Sequence, residues 1–346
     1  MLSERTVRAA LPCVLGVRRV QVGGVGVPNL DLRVRLFGSL LRRLPGTRIT
    51  KMTVEDIAKV NRRMVRRNRV MDALCGPIAE GVRVEDLTMP GPGGDVPLRV
   101  YRPTRAASGG RPVIVNYHAG GWTLGNLEMA DWLCSQVAGG VNAVVVSVAY
   151  RLAPHDPFPA AVLDSYAALE WAVQHASSLG VDPDHLAVMG DSSGGNLAAV
   201  VCLLTRDRAG PRVCHQTLIY PATDLAGEWP SRVRHRKTPF TTVEDLNAFV
   251  GHYLGPADPE DWRASPLRAE DHAGLPPALV QVAQYDPLHD EGVAYAESLR
   301  SAGVPVQLTE YAGMPHGYLS FPGVCRGASK AIAEVIVEQV RFLHAS

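Results

Sequence analysis

Ser192 stands in the run Gly190-Asp-Ser-Ser-Gly194, with the apolar stretch His185–Met189 before it and a helical pattern through Ala198, Ala199 and Leu203 after it. A Gly-x-Ser-x-Gly turn between a strand and a helix is a nucleophile elbow. Such a turn has no room for a side chain at either end, so glycines occupy 190 and 194. It lifts the serine hydroxyl clear of the backbone. It also leaves the Ser193 N–H at a helix N-terminus, where negative charge is favoured. Ser193 cannot be the elbow serine in this frame, because Asp191 would then hold the first glycine position. The chemistry these residues suit is acyl transfer through an activated hydroxyl.

A serine hydroxyl is a poor nucleophile near neutrality and needs a base, which in turn needs an orienting acid. Behind an elbow the chain order is serine, acid, histidine, each beyond the end of a later strand. The run Ala278–Val282 leads to Asp286, and Pro305–Tyr311 leads to His316; these are the candidate acid and base. Asp290 and Glu291 are rival acids, placed further into the start of the next helical pattern. A tetrahedral intermediate also needs N–H donors for its oxyanion. Gly120 and Gly121, in His118-Ala-Gly-Gly-Trp122 after the strand-like Val113–Tyr117, are candidates together with the Ser193 N–H. His118 precedes the nucleophile and reads as a hydrogen-bonding partner of that loop. Trp122, beside the glycines, is a candidate substrate contact. The histidines are scattered, with no H-E-x-x-H and no G-K-[ST], so neither a metal nor a cofactor is expected.

These residues need a frame to hold them. Apolar strand-like runs at 112–117, 143–148, 186–189, 217–220 and 278–282, and an alternating one at 305–311, are separated by helical patterns at 127–138, 160–178, 194–207, 290–302 and 327–344. Alternation of this kind implies an α/β fold with a mostly parallel sheet covered on both faces. Chemistry in such sheets collects at the carboxyl ends of the strands. Residues 224–265 break the alternation, with the basic run Arg232–Lys237 and a helical pattern at 243–253, and read as an inserted lid. Residues 1–75 read as a helical cap segment apart from a catalytic domain at 76–346. Within the cap, Thr53 suits the start of a helix running to Arg67, with Glu55 and Asp56 in its first turn. The apolar faces at 29–44 and 243–253 have no sheet position left to fill. Leu36, Phe37, Leu40 and Phe249 are therefore expected to line the substrate pocket.

Of the 346 residues, 46% are hydrophobic and 20% charged, which suits one large domain with a cap or two domains. A net charge of +1 offers no field to attract nucleic acid. The six cysteines form no C-x-x-C pair and are irregularly spaced, so reduced thiols and a cytoplasmic location are expected. Arg5 and Arg8 before the apolar Ala9–Val17 resemble the start of a signal peptide, but Arg18-Arg19 follows where a small-residue cleavage site belongs. Secretion, or peripheral membrane association through 29–44, are the alternatives. No run reaches the ~20 apolar residues of a membrane span.

Taken together, YHAGGW at 117–122, YRLAP at 150–154 with PFPAA at 157–161, the 181–199 stretch, LIYPATD at 218–224, YDPLHDEG at 285–292 and MPHGY at 314–318 resemble the hormone-sensitive-lipase-like family of bacterial esterases, of the α/β-hydrolase fold. The resemblance spans roughly residues 80–345. It implies a serine carboxylesterase acting on short-to-medium acyl esters, with Ser192, Asp286 and His316 as the triad and Gly120, Gly121 and Ser193 as oxyanion donors. It also implies a small-molecule ester substrate, no cofactor, and a monomer or homodimer. An amidase of arylformamidase type uses the same parts. A non-catalytic receptor of this fold, as in the gibberellin receptors, lacks the base that His316 supplies here. Three departures from the family pattern stand out: Ala119 replaces the first glycine of HGGG, Ser193 replaces the alanine of GDSAGG, and His155-Asp156 replaces the Glu-His of APEHPFP.

Overall fold

The runs that patterning marks as apolar on both faces become the centre of one sheet. The computed structural model describes residues 17–20, 29–44, 48–62, 68–107 and 109–344, with residues 17–20 as backbone only. Its strands are β1 (Val17–Val20), β2 (Val82–Gly91), β3 (Gly94–Pro103), β4 (Arg111–Tyr117), β5 (Val144–Val148), β6 (Val181–Asp191), β7 (His215–Ile219), β8 (Ala278–Tyr285) and β9 (Val306–Pro315). They form a nine-stranded sheet in the order β1-β9-β8-β7-β6-β4-β5-β3-β2. β2–β3 and β3–β5 pair antiparallel, and all other neighbours run parallel. This is an α/β-hydrolase fold.

The helices are α1 (Leu32–Leu41), α2 (Val54–Asn61), α3 (Arg69–Cys75), α4 (Asp131–Val141), α5 (Ala160–Gln174), α6 (Ala176–Leu179), α7 (Ser193–Asp207), α8 (Pro230–Arg234), α9 (Val243–Leu254), α10 (His289–Ser301) and α11 (Gly327–Leu343). Side chains alternate across a strand, so each central strand feeds two cores. Val113, Val115, Val144, Val146, Leu186 and Val188 meet α5, α7 and α10 on one face. Ile114, Val145, Ala187 and Met189 meet α4 and α11 on the other. Both faces being covered explains why apolar side chains, mostly valine, recur on both faces of these strands.

The N-terminal segment departs from the all-helical reading at one place. Val17–Val20 pairs parallel with β9, Val17 opposite Leu308, and so belongs to the sheet. The edge of β9 would otherwise be an open row of backbone donors and acceptors. Thr53 caps α2, and Asp56 closes a reciprocal capping box with it. The helix ends at Asn61; the remainder of the stretch expected up to Arg67 lies outside the described residues after Arg62, as does most of the signal-like run at Ala9–Val17. Between β7 and β8 the chain makes α8 and α9, and α9 opens on a second capping box, Thr242 with Asp245. No disulfide joins the five described cysteines. Among the described residues, no helix is long and apolar enough to cross a membrane.

Candidate active site

β6 delivers Ser192 at its carboxyl end, and α7 starts at once. The backbone there is under strain: Ser192 has φ +55° and ψ −118°. A non-glycine residue in that region costs on the order of 1–3 kcal/mol and is kept only where its surroundings over-determine it. The surroundings are two glycines that cannot be anything else. A Cβ on Gly194 would lie 1.8 Å from the Tyr117 carbonyl oxygen, and one on Gly190 would lie 2.2 Å from the Gly194 oxygen.

β8 and β9 end beside β6 and β7, and this brings Asp286 and His316 to Ser192. Ser192 Oγ lies 2.8 Å from His316 Nε2, and His316 Nδ1 lies 2.7 Å from Asp286 Oδ2. Asp286 Oδ1 accepts from the Leu288 N–H at 2.7 Å, which fixes the carboxylate plane. All three side chains are buried. Burial alone would push the His316 imidazole down. The Asp286 carboxylate outweighs it by charge and hydrogen bond, with Asp191 and Glu291 adding to it, and His316 is raised above the usual imidazole value.

The rival acids are occupied elsewhere. Asp290 accepts from Arg234 Nη2 at 2.7 Å and from the Ser231 N–H at 2.9 Å, so it anchors α8. Glu291 accepts from the Thr223 N–H at 2.9 Å and from Arg232 Nη2 at 2.7 Å. Burial pushes its carboxyl up to about 7.

The loop after β4 lies against the elbow. Gly120 and Gly121 have φ +127° and +61°, and Ala119 is outside the left-handed region, so the methyl that replaces a glycine costs the backbone nothing. Among the described residues, the N–H groups of Gly120, Gly121 and Ser193 find no acceptor. They are free to hold an oxyanion in the cavity that Gly120, Gly121 and Ser192 line. His118 donates from Nδ1 to the Ala119 oxygen at 2.7 Å and stacks on Tyr150. Burial pushes its imidazole down to about 4, so it is neutral and serves the loop. Gly120→Ala should put a Cβ 1.8 Å from the Leu124 oxygen and force the loop to move. Losing one aligned donor costs on the order of 10²–10³ in kcat. We expect a fall in kcat of that size with KM little changed, read by steady-state kinetics.

The cavity measures about 160 Å³, and its walls are mainly apolar. Trp122 and Phe249 line it, Trp122 stacked on Tyr253 at 4.3 Å and Phe249 lying directly on Gly121. Leu36 and Leu40 do not reach it and are 64% and 58% exposed. The reason is the turn of α1: Val34, Phe37, Gly38 and Leu41 face the protein, which sends Leu32, Leu36 and Leu40 to solvent. Phe37 acts from behind the wall, packed edge-on against Phe240 and Phe321, which do line the cavity. Sequence reading missed Phe240 and Phe321, which sit in short irregular segments without periodicity, and Met129, which lies in the short 3-10 helix Leu127–Ala130. It also missed Asp191 and Tyr220. Tyr220 Oη donates to Asp191 Oδ2 at 2.9 Å, and its ring packs on the edge of His316. Burial pushes the Asp191 carboxyl up to about 6. His155, at the third family departure, is exposed and 2.8 Å from Asp156, away from this site.

Residues 114–320 match the family model described as alpha/beta hydrolase fold. The carboxylic ester hydrolase LipN of Mycobacterium tuberculosis is 43% identical over 319 residues, 89% of this chain and 81% of that protein. The carboxylesterase NlhH of the same organism is 38% identical, over 93% of this chain and 98% of its own length. A hyperthermophilic esterase from the archaeon Pyrobaculum calidifontis superposes with a TM-score of 0.82 at 37% identity, covering 92% of this chain and all of that one.

Proposed function

Since the chain belongs to the hormone-sensitive-lipase-like carboxylic ester hydrolases of the α/β-hydrolase fold, we propose that it hydrolyses short-to-medium acyl esters through Ser192, His316 and Asp286 by way of an acyl-enzyme. The observation that carries this is the continuous relay from Ser192 Oγ to His316 Nε2 at 2.8 Å and from His316 Nδ1 to Asp286 Oδ2 at 2.7 Å, opening into an apolar cavity. His316 takes the serine proton as Oγ attacks the ester carbonyl. The carbonyl oxygen becomes an oxyanion between the N–H groups of Gly120, Gly121 and Ser193. Asp286 keeps the imidazole in the tautomer with Nδ1 protonated and stabilises the imidazolium. His316 then passes the proton to the leaving alkoxide. Water, deprotonated by the same base, attacks the acyl group and returns Ser192 to its hydroxyl form.

The N-terminal helices, together with the α8–α9 insertion within the 76–346 catalytic domain, act in this reading as a cap over the cavity at Ser192. Phe240 and Thr241, just before α9, and Phe249 on it, line the cavity, and Phe37 on α1 supports Phe240. Acyl length should therefore be read by the cap. Each buried methylene is worth about 0.8 kcal/mol, or about fourfold in kcat/KM. The specificity constant should climb at that rate with each carbon of a p-nitrophenyl ester until the cavity is full, then fall. Phe321→Ala, at the Phe37–Phe240–Phe321 cluster, should move the optimum to longer chains and leave the acetate ester least affected. An unchanged optimum would remove Phe321 from the acyl wall. No turnover of any ester in the panel would overturn the functional reading.

A further inference from the structure

We propose that the cavity between α1, the 48–51 turn and the 237–242 turn is a binding site for a phosphate-bearing anion. It measures about 530 Å³ and shares no lining residue with the cavity around Ser192. Arg35, Arg42, Arg48 and Lys237 line it against a single carboxylate, Glu244. That carboxylate is already taken by Arg236 at 2.8 Å, and Arg42 is held by Asp245 at 3.0 Å. Among the described residues, Arg35, Arg48 and Lys237 have no carboxylate partner. Arg48 Nε is moreover buried with no hydrogen-bond acceptor.

Cations gathered on one cavity repel each other, and a buried guanidinium N–H without an acceptor is destabilising. A multivalent oxyanion relieves both. Its oxygens accept paired bonds from the planar guanidinium groups, and its charge meets the lysine ammonium. A single carboxylate offers only two oxygens to the same three cations. Ser39, an exposed residue lining the cavity, offers one hydroxyl donor. The 237–242 turn has two sides: Lys237, Thr238, Pro239 and Thr242 face this cavity, whereas Phe240 and Thr241 face the one that holds Ser192. The site itself owes nothing to the ester chemistry.

Two sources carry a phosphate of this kind: a soluble phosphate compound, and the headgroup of an anionic phospholipid. For the second, Leu32, Leu36 and Leu40 on the outer face of α1 supply exposed apolar surface beside the cavity.

The test is a calorimetric titration of the whole protein with inorganic pyrophosphate, together with co-sedimentation on phosphatidylcholine vesicles with and without phosphatidylglycerol. The wild type should bind pyrophosphate saturably, and less tightly as salt is raised. Arg48→Gln and Lys237→Gln should each weaken binding by about tenfold, the loss of one charge-assisted contact. Arg33→Gln, on the exposed face of the same helix, should leave it unchanged. A lipid source shows as sedimentation that depends on phosphatidylglycerol and is reversed by pyrophosphate. A soluble source shows as pyrophosphate binding with no vesicle association. The proposal fails if the wild type neither binds pyrophosphate nor follows phosphatidylglycerol, a result that needs no variant to fold. It fails equally if Arg33→Gln weakens binding as much as Arg48→Gln, since net charge would then be the cause.

Discussion

Ser192→Ala is expected to lower kcat for every ester substrate on the order of 10⁶-fold, the loss seen when one member of a triad that acts as a unit is removed. The methyl group cannot attack, while the strained elbow around it stays as it is. Gly190 and Gly194 are required because a Cβ at either would clash with the Gly194 or Tyr117 carbonyl oxygen, and neither restriction depends on the serine hydroxyl. The variant should therefore fold, melt close to the wild type and still bind esters. Relief of the unfavourable φ at 192 is not available to alanine, which meets the same Cβ clash as serine. An organophosphate that labels the wild type should not label the variant. Labelling of another residue with activity retained would reassign the nucleophile.

Asp286→Asn carries the second largest effect, on the order of 10⁴ in kcat, because the amide presents a donor to His316 Nδ1 and favours the wrong tautomer. Asp290→Asn should cost far less, since its carboxylate serves Arg234 and the Ser231 N–H on α8 and does not face the imidazole. The two variants also separate by their pH profiles. Only neutral imidazole is a base, so the wild-type rate rises with pH through the His316 titration. Burial alone would lower that titration, but the Asp286 charge raises it above the usual imidazole value. Removing the charge in Asp286→Asn must then shift the acid limb to lower pH while the plateau falls. Asp290→Asn should keep the wild-type limb. If Asp290→Asn proves the more severe variant, or if Asp286→Asn leaves the limb where it was, Asp286 is not the acid.

Much of the frame was open to sequence reading because its signals are local. The strands β4, β5 and β8 carry largely apolar side chains on both faces, and runs of that kind fit a covered, mostly parallel sheet. The elbow glycines are dictated by a turn that leaves no space for a Cβ. The order of Ser192, Asp286 and His316 follows from a topology in which β8 and β9 are added to the sheet in sequence beyond β7.

What the sequence could not decide are choices made between distant segments. Along α1, Leu32, Leu36 and Leu40 form one apolar stripe and Val34, Phe37 and Leu41 another, and periodicity alone does not choose between them. The tertiary structure chooses through Gly38, where a Cβ would lie 2.3 Å from Pro239 Cβ, so that only the glycine face of the helix can approach the 237–242 turn. The same packing puts Phe37 behind Phe240 and leaves Leu36 and Leu40 in solvent. It also gathers Arg35 and Arg48 with Lys237, which is far from both in the chain, around one cavity. Val17–Val20 joined the sheet for a comparable reason: a four-residue segment has too little pattern to declare itself, and the unpaired edge of β9 supplies the partner that makes it a strand.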